Sequence, residues 1–216
     1  MCAFYTKDIE IFNDKLKFLP VAWDGKSCIL ELKDADYNWR QMEWWAFYFE
    51  FKAKQLLEKY FQFPGDKFDN VVFDLKGHIN WDLKASAIKS HLHKIILNDI
   101  NAMEQAIEKY GYHGEIIALC DVEYNDKDRS FQKWHTELKG GMSQYEKERK
   151  KRTSISRYRK TQAVLTEIIF LVIKADNLEI LDIMRQGRNS NGMPRKEKYV
   201  LDLERINYFE THILEI

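Results

Sequence analysis

The chain has 216 residues, 45% of them hydrophobic, with 34 Lys and Arg balanced by 34 Asp and Glu. That length suffices for one full core, and no proline- or glycine-rich linker divides it, so a single domain over residues 1–216 is expected. A formal net charge of zero argues against a uniformly basic, nonspecific nucleic-acid binder. Cys2, Cys28 and Cys120 form no C-x-x-C pair, so neither a disulfide framework nor a thiolate metal site is implied, and a reducing cytoplasm fits. The first residues lack a basic end followed by an apolar run, and no window reaches the length of a membrane span. A soluble protein with no membrane partner is expected, and no P-loop motif points to a nucleotide cofactor.

Residues 1–33 end in an alternating stretch, 27–33, after an Asp24-Gly25 turn signal, which predicts a peripheral hairpin. Asp36 then caps a long helix from Tyr37 to about Tyr60, ended by Phe63-Pro64-Gly65. It is aromatic on nearly every side, so it should be buried against a sheet or a second subunit. Glu43 and Glu50 lie seven apart and share one of its faces. On its own, Glu50 reads as a solvated or salt-bridged glutamate.

Residues 71–85 read as two short strands joined at Gly77. Side chains two apart share a face, so Asn80, Asp82 and Lys84 point one way while Trp81, Leu83 and Ala85 pack the other. Folding back at Lys76-Gly77 brings Asp74 against the Asp82 and Lys84 face. Two carboxylates at close range repel unless a cation lies between them, and hard oxygen ligands with few imidazoles nearby suit Mg2+. A water on that ion can become a nucleophile, which Lys84 is placed to hold or help deprotonate. The alternative is an amphipathic hairpin whose charges face water. A second D-x-K triplet, Asp74-Leu75-Lys76, would need Asp66 or Asp69 as partner, with too few residues between for two strands and a turn.

The connection over 86–94 is polar and basic, with Ser86, Lys89 and His91 facing DNA; His91 and His93 suit phosphate contact better than a metal without a third ligand. Asn98 or Asp99 caps a helix over 100–110 that ends at Gly111. Residues 115–122 form an apolar strand for the centre of a sheet, and 125–141 an ordered loop or insertion. The stretch 144–160 is basic: Lys150, Lys151, Arg157, Arg159 and Lys160 are placed to neutralise phosphates, unless they form a solvated helix face. Strands are expected over 165–173 and 178–184. The loop 185–196 offers Arg185, Gln186, Arg188, Asn189, Ser190, Asn191 and Arg195, groups that read base edges in the major groove; a polar surface hairpin is the alternative. Residues 199–203 would close the sheet.

Asp74 followed by Asp82-Leu83-Lys84 resembles the PD-(D/E)XK motif of the restriction-endonuclease-like nucleases. The gap is eight residues, Gly77 supplies the small residue usual at the family's turn, and Phe73 stands where many members carry proline. The predicted order over residues 37–122, long helix, strand, strand, helix, strand, is that family's core. The resemblance implies an α/β fold with a central mixed β-sheet flanked by helices, and elaborations at 1–36 and 142–216 for DNA contact or dimerisation. It implies Mg2+ held by Asp74, Asp82 and the Leu83 carbonyl, Lys84 positioning the water, and Glu50 as a candidate additional acid. The implied function is a Mg2+-dependent, sequence-specific endonuclease of the type II restriction class, cutting double-stranded DNA as a homodimer. A structure-specific repair or recombination nuclease of the same fold is the enzyme alternative, and a non-catalytic DNA-binding protein the other.

Overall fold

The computed structural model describes residues 4–64, 73–88, 93–142, 144, 147, 159–187 and 193–216. The N-terminal region is helical where a hairpin was expected. Helix α1 spans Thr6–Leu16, strand β1 Ala22–Asp24 and helix α2 Gly25–Asp34. Asp24 begins α2 by accepting a hydrogen bond from the Ser27 backbone N–H, 2.9 Å, which satisfies one of the free donors of the first turn. A strand over 27–33 would have buried Cys28, Leu30 and Leu32; α2 buries Cys28, Ile29 and Leu32 and leaves Leu30 43% exposed. The next helix, α3, covers Trp44–Leu57 and not 37–60. Asp36 and Asn38 adopt positive φ, 51° and 36°, which no helix accommodates.

Strands β2 (Leu75–Lys76) and β3 (Asn80–Ala87) form the expected hairpin, though β2 is short. Strand β4 (Lys94–Asp99) leads into helix α4 (Ile100–Tyr110), capped by the Asp99 side chain and closed by Gly111 at φ 81°. Strand β5 (His113–Glu123) follows. Residues 125–141, expected as loop, contain helix α5 (Ser130–Leu138), whose first turn donates from Phe131 N–H to buried Asp126, 2.9 Å. Strand β6 (Gln162–Ile173) carries the expected buried run. Residues 178–184 are not one strand: a 3-10 turn over Ala175–Ile180 precedes the short β7 (Asp182–Met184). Strand β8 (Lys198–Asp202) and an unanticipated β9 (Glu210–Glu215) complete the chain.

The central sheet is mixed, in order β1-β6-β5-β3-β2, with β9 also paired to β6. Only β3 and β5 run parallel; the other pairs are antiparallel. Strand β8 does not close this sheet but sits between β4 and β7 in a separate three-stranded one. Alternate residues of the central strands enter two cores. Trp81, Leu83, Ile116, Ala118 and Phe170 pack with the residues of α1, α2, α3 and α5. Ile117, Leu119, Ile169, Leu171 and Ile173 pack with α4 and the small sheet. Each buried Leu, Ile or Phe among them stabilises the fold by about 1.5–3 kcal/mol, so β5 and β6 are clamped from both sides and β3 from the helix side. Among the described residues, no helix is long and apolar enough to cross a membrane.

Candidate metal centre

The hairpin that carries the acidic residues is pinned at its turn by α1. Asp8, buried on that helix, accepts hydrogen bonds from His78 N–H at 2.8 Å and Trp81 Nε1 at 3.0 Å, and meets His78 Nδ1 at 2.6 Å. A Cβ on Gly77 would lie 2.5 Å from the Asp8 carboxylate, so only glycine lets the turn reach it. With the turn fixed, the antiparallel register Leu75 to Trp81 sets residue 74 opposite residue 82. Asp74 N–H donates to Asp82 Oδ1 at 3.1 Å, and Leu83 N–H donates to Asp74 Oδ2 at 2.7 Å. The Asp74 carboxylate thus continues the ladder where β2 stops, on the strand edge that also carries the Leu83 carbonyl.

Strand β5 supplies the other half. Its parallel register sets Glu115 abreast of Asp82 and Gly114 abreast of Trp81. A Cβ on residue 114 would overlap the Trp81 ring, so glycine here lets the indole pack flat while His113 and Glu115 turn to the opposite face. His113 Nε2 lies 3.2 Å from Glu115 Oε1 and 3.6 Å from Asp82 Oδ2. Donor atoms of Asp82, His113 and Glu115 all lie within 4.8 Å of one another, and all three residues are buried. Lys84 Nζ stands 3.8 Å from Asp82 Oδ2 and 4.0 Å from Glu115 Oε2. From β4, Asn98 donates its side-chain amide to Asp82 Oδ2.

Electrostatics follow from crowding acids in a dry place. Burial and then the Asp82 charge push Asp74 up to about 6. Burial likewise raises Asp82. Glu50 is pushed up to about 7, by burial and then by Asp74, while the Tyr37 hydroxyl donates to it at 2.6 Å. Burial lowers Lys84, but Asp82, Glu115, Asp74 and Glu50 outweigh it, so the ammonium is held protonated. Burial also works against the His113 cation, and the Glu115 hydrogen bond and Asp82 charge reverse it, a net rise. Lys198 of β8 is lowered by burial and by the Lys84 charge. Glu115 Oε2 and His113 Nδ1 are buried without a hydrogen-bond partner among the described residues. Carboxylates in excess of cations, one with an orphaned buried oxygen, make a set that can hold a metal ion. The cluster that the structure brings together includes an imidazole, from His113, beside the carboxylates of Asp82 and Glu115.

The residues assigned to DNA are scattered. Ser86 lies on β3, opposite Leu119. Lys160 is engaged by Glu43 at 2.8 Å and lies over the Trp45 ring; Arg159 precedes it in the chain. Arg185 pairs with Glu197 at 3.1 Å and is highly exposed, Gln186 is half-buried, and Arg195 N–H donates to the Gly187 carbonyl at 2.9 Å, closing the base of the loop. That loop leaves the small sheet at the end where Met184, Lys198 and Asp99 are aligned across three strands, hence about 10 Å from Asp99 by strand spacing. Lys89, His91, Lys150, Lys151, Arg157, Arg188, Asn189, Ser190 and Asn191 lie outside the described residues, as do Asp66 and Asp69 of the alternative motif.

His113, Glu115, Asn98 and Lys198 escaped the sequence reading. Glu115 had a signal, since it is an acid at the head of an apolar central strand, and His113 shares its face at a spacing of two. No family model, no curated protein and no solved structure matches the chain.

Proposed function

We propose that the α/β core is restriction-endonuclease-like and that the protein is a metal-dependent nuclease hydrolysing phosphodiester bonds of double-stranded DNA, in the manner of the type II restriction class. The observation that carries this reading is the convergence of Asp74, Asp82 and Lys84 on one pinned hairpin, with hydrogen bonds joining residues 74, 82 and 83. A divalent ion held by Asp74, Asp82 and the Leu83 carbonyl, with Mg2+ as the family's ion, would supply Lewis-acid stabilisation of the phosphate and an acidified water. The Lys84 ammonium, kept charged by its acidic neighbours, orients the water and meets the negative charge that builds on the phosphate. Glu50, raised to about 7, is matched to accept the proton that water gives up near neutral pH. The loop 185–196, whose described ends leave the small sheet near Asp99, would read bases, and a second copy of the chain would cut the other strand.

Supercoiled plasmid incubated with the purified protein in Mg2+ and in Mn2+ tests the reading. Discrete double-strand fragments support a restriction-class enzyme. Cutting confined to branched or flapped substrates would move the assignment to a structure-specific nuclease, and no cutting of any DNA in either metal would overturn the hydrolase itself. Light scattering separates a dimer from a 25.9 kDa monomer.

A further inference from the structure

We propose that His113 is a metal ligand, so that Asp82, His113 and Glu115 form a centre that selects a divalent first-row transition ion such as Mn2+ or Co2+ over Mg2+. This rests on the reading above for a metal at Asp82 but sets His113 and Glu115 beside it in place of Asp74 and the Leu83 carbonyl, and a transition ion in place of Mg2+; its test reads binding instead of cleavage, so either can fail alone.

The three side chains leave hydrogen bonds unmade. His113 Nε2 is within hydrogen-bond reach of Glu115 Oε1 at 3.2 Å but 3.6 Å from Asp82 Oδ2, so it bonds Glu115 and leaves Asp82 to the Asn98 amide and the Asp74 N–H. Lys84, 3.8 Å and 4.0 Å from the two acids, bonds neither. Glu115 Oε2 is buried with no hydrogen-bond partner among the described residues, and Glu115 itself is 0% exposed. An imidazolium fixed between two acids as a purely structural triad would be expected to bond both. A single ion among donor atoms that already lie within 4.8 Å of one another would serve all three residues, and a Glu115 carboxylate turned to it could give its unpartnered oxygen a partner.

The donor set then decides the ion. Mg2+ demands near-ideal octahedral oxygen ligation and keeps several waters, whereas imidazole suits the later first-row ions, whose affinity for nitrogen donors rises from Mn2+ to Co2+ and beyond. Two carboxylates alone would discriminate weakly. One buried imidazole, held on a parallel strand by the Trp81 and Gly114 register, adds a donor that Mg2+ uses poorly.

Protein stripped of metal by chelation is titrated calorimetrically with Mn2+, Co2+ and Mg2+, and the Mn2+ complex is measured by electron spin-echo envelope modulation. Expected are a bound Mn2+ with nitrogen modulation from a directly coordinated imidazole, and tighter binding of Co2+ than Mn2+ than Mg2+. His113→Gln should abolish the nitrogen signal and weaken Co2+ and Mn2+ about tenfold or more while shifting Mg2+ little. The wild-type spectrum needs no variant, so misfolding of His113→Gln would not remove the test. Mn2+ binding without nitrogen modulation would overturn the proposal, as would the absence of binding by all three ions.

Discussion

The two faces of strands β3 and β5 are built from the same backbone and do opposite things. Toward the helices, Trp81, Leu83, Ile116 and Ala118 are buried among aromatic and aliphatic neighbours. Toward the small sheet, the same stretches present Asn80, Asp82, Lys84, His113 and Glu115, and only from Ile117 onward does that face turn apolar. A period of two lets one residue serve the core while the next serves chemistry. The apolar face holds the strands in a register that costs the polar face its comfort: a buried acid with raised affinity for protons and, among the described residues, two oxygens, of Asn80 and Glu115, without a hydrogen-bond partner.

If that division is right, the faces must fail differently. Asp82→Asn, on the polar face, should lower DNA cleavage at least about 100-fold while leaving the melting temperature at pH 8 unchanged or raised, since a buried charge is removed. Lys84→Ala should lose activity alike. Cleavage at wild-type rate by folded Asp82→Asn would break the comparison at its centre. Gly114→Ala sits between the two site residues of β5 but points to the apolar face, where its methyl meets the Trp81 ring. It should cost about 3 kcal/mol through overpacking, a drop in melting temperature of roughly 6–12 °C. A melt within a degree of wild type would mean that the indole yields and the register is not set there.

What could be read from the sequence was local. The hairpin, with Gly77 between two runs and charge alternating with Trp81 and Leu83, was legible, and so was α4, whose Asp99 and Gly111 caps are chemically explicit. The 27–33 helix was not, because its apolar residues fit periods of 2 and 3.6 almost equally and Asp24-Gly25 signals both a turn and a cap. The partners of Asp82 were invisible for a different reason. Glu115 is 33 residues away on a parallel strand, and nothing in a single sequence states which residue of one strand lies abreast of which residue of another. The second sheet was missed likewise, since β4, β7 and β8 pair across long separations.

Glu50 crosses the division: it belongs to a helix of the apolar layer, yet its charge couples to Asp74 and Lys84. Its folded-state value is raised from 4.5 to about 7. A raised group favours the fold fully below its unfolded value, and that contribution is lost as pH climbs through about 7. Glu50→Gln keeps the neutral form at every pH. In metal-free protein it should match wild type near pH 4 and exceed its stability at pH 8, by on the order of 1–2 kcal/mol after allowance for partial solvent access. Urea melts at the two pH values measure this. Equal differences at both would place Glu50 outside the charge system of the hairpin.

The smallest effect probes the apolar face alone. Cys28 and Cys120 both belong to the core beneath the helices, and burial pushes each thiol up to about 12. Thiolate, not thiol, is the nucleophile, so at pH 8 only about one part in ten thousand of either would be reactive, and the reagent would still have to enter a packed core. Iodoacetamide should therefore leave the Cys28 and Cys120 peptides unmodified in native protein over hours, and modify both within minutes in urea, as read by mass spectrometry. Cys120 lies on β5, five residues beyond Glu115 and on the opposite face, which makes it a reporter for the strand that carries half the centre. Labelling of Cys120 in native protein would show that the helices lift from β5, and a clamp that opens on that side could not be what fixes His113 and Glu115 beside Asp82.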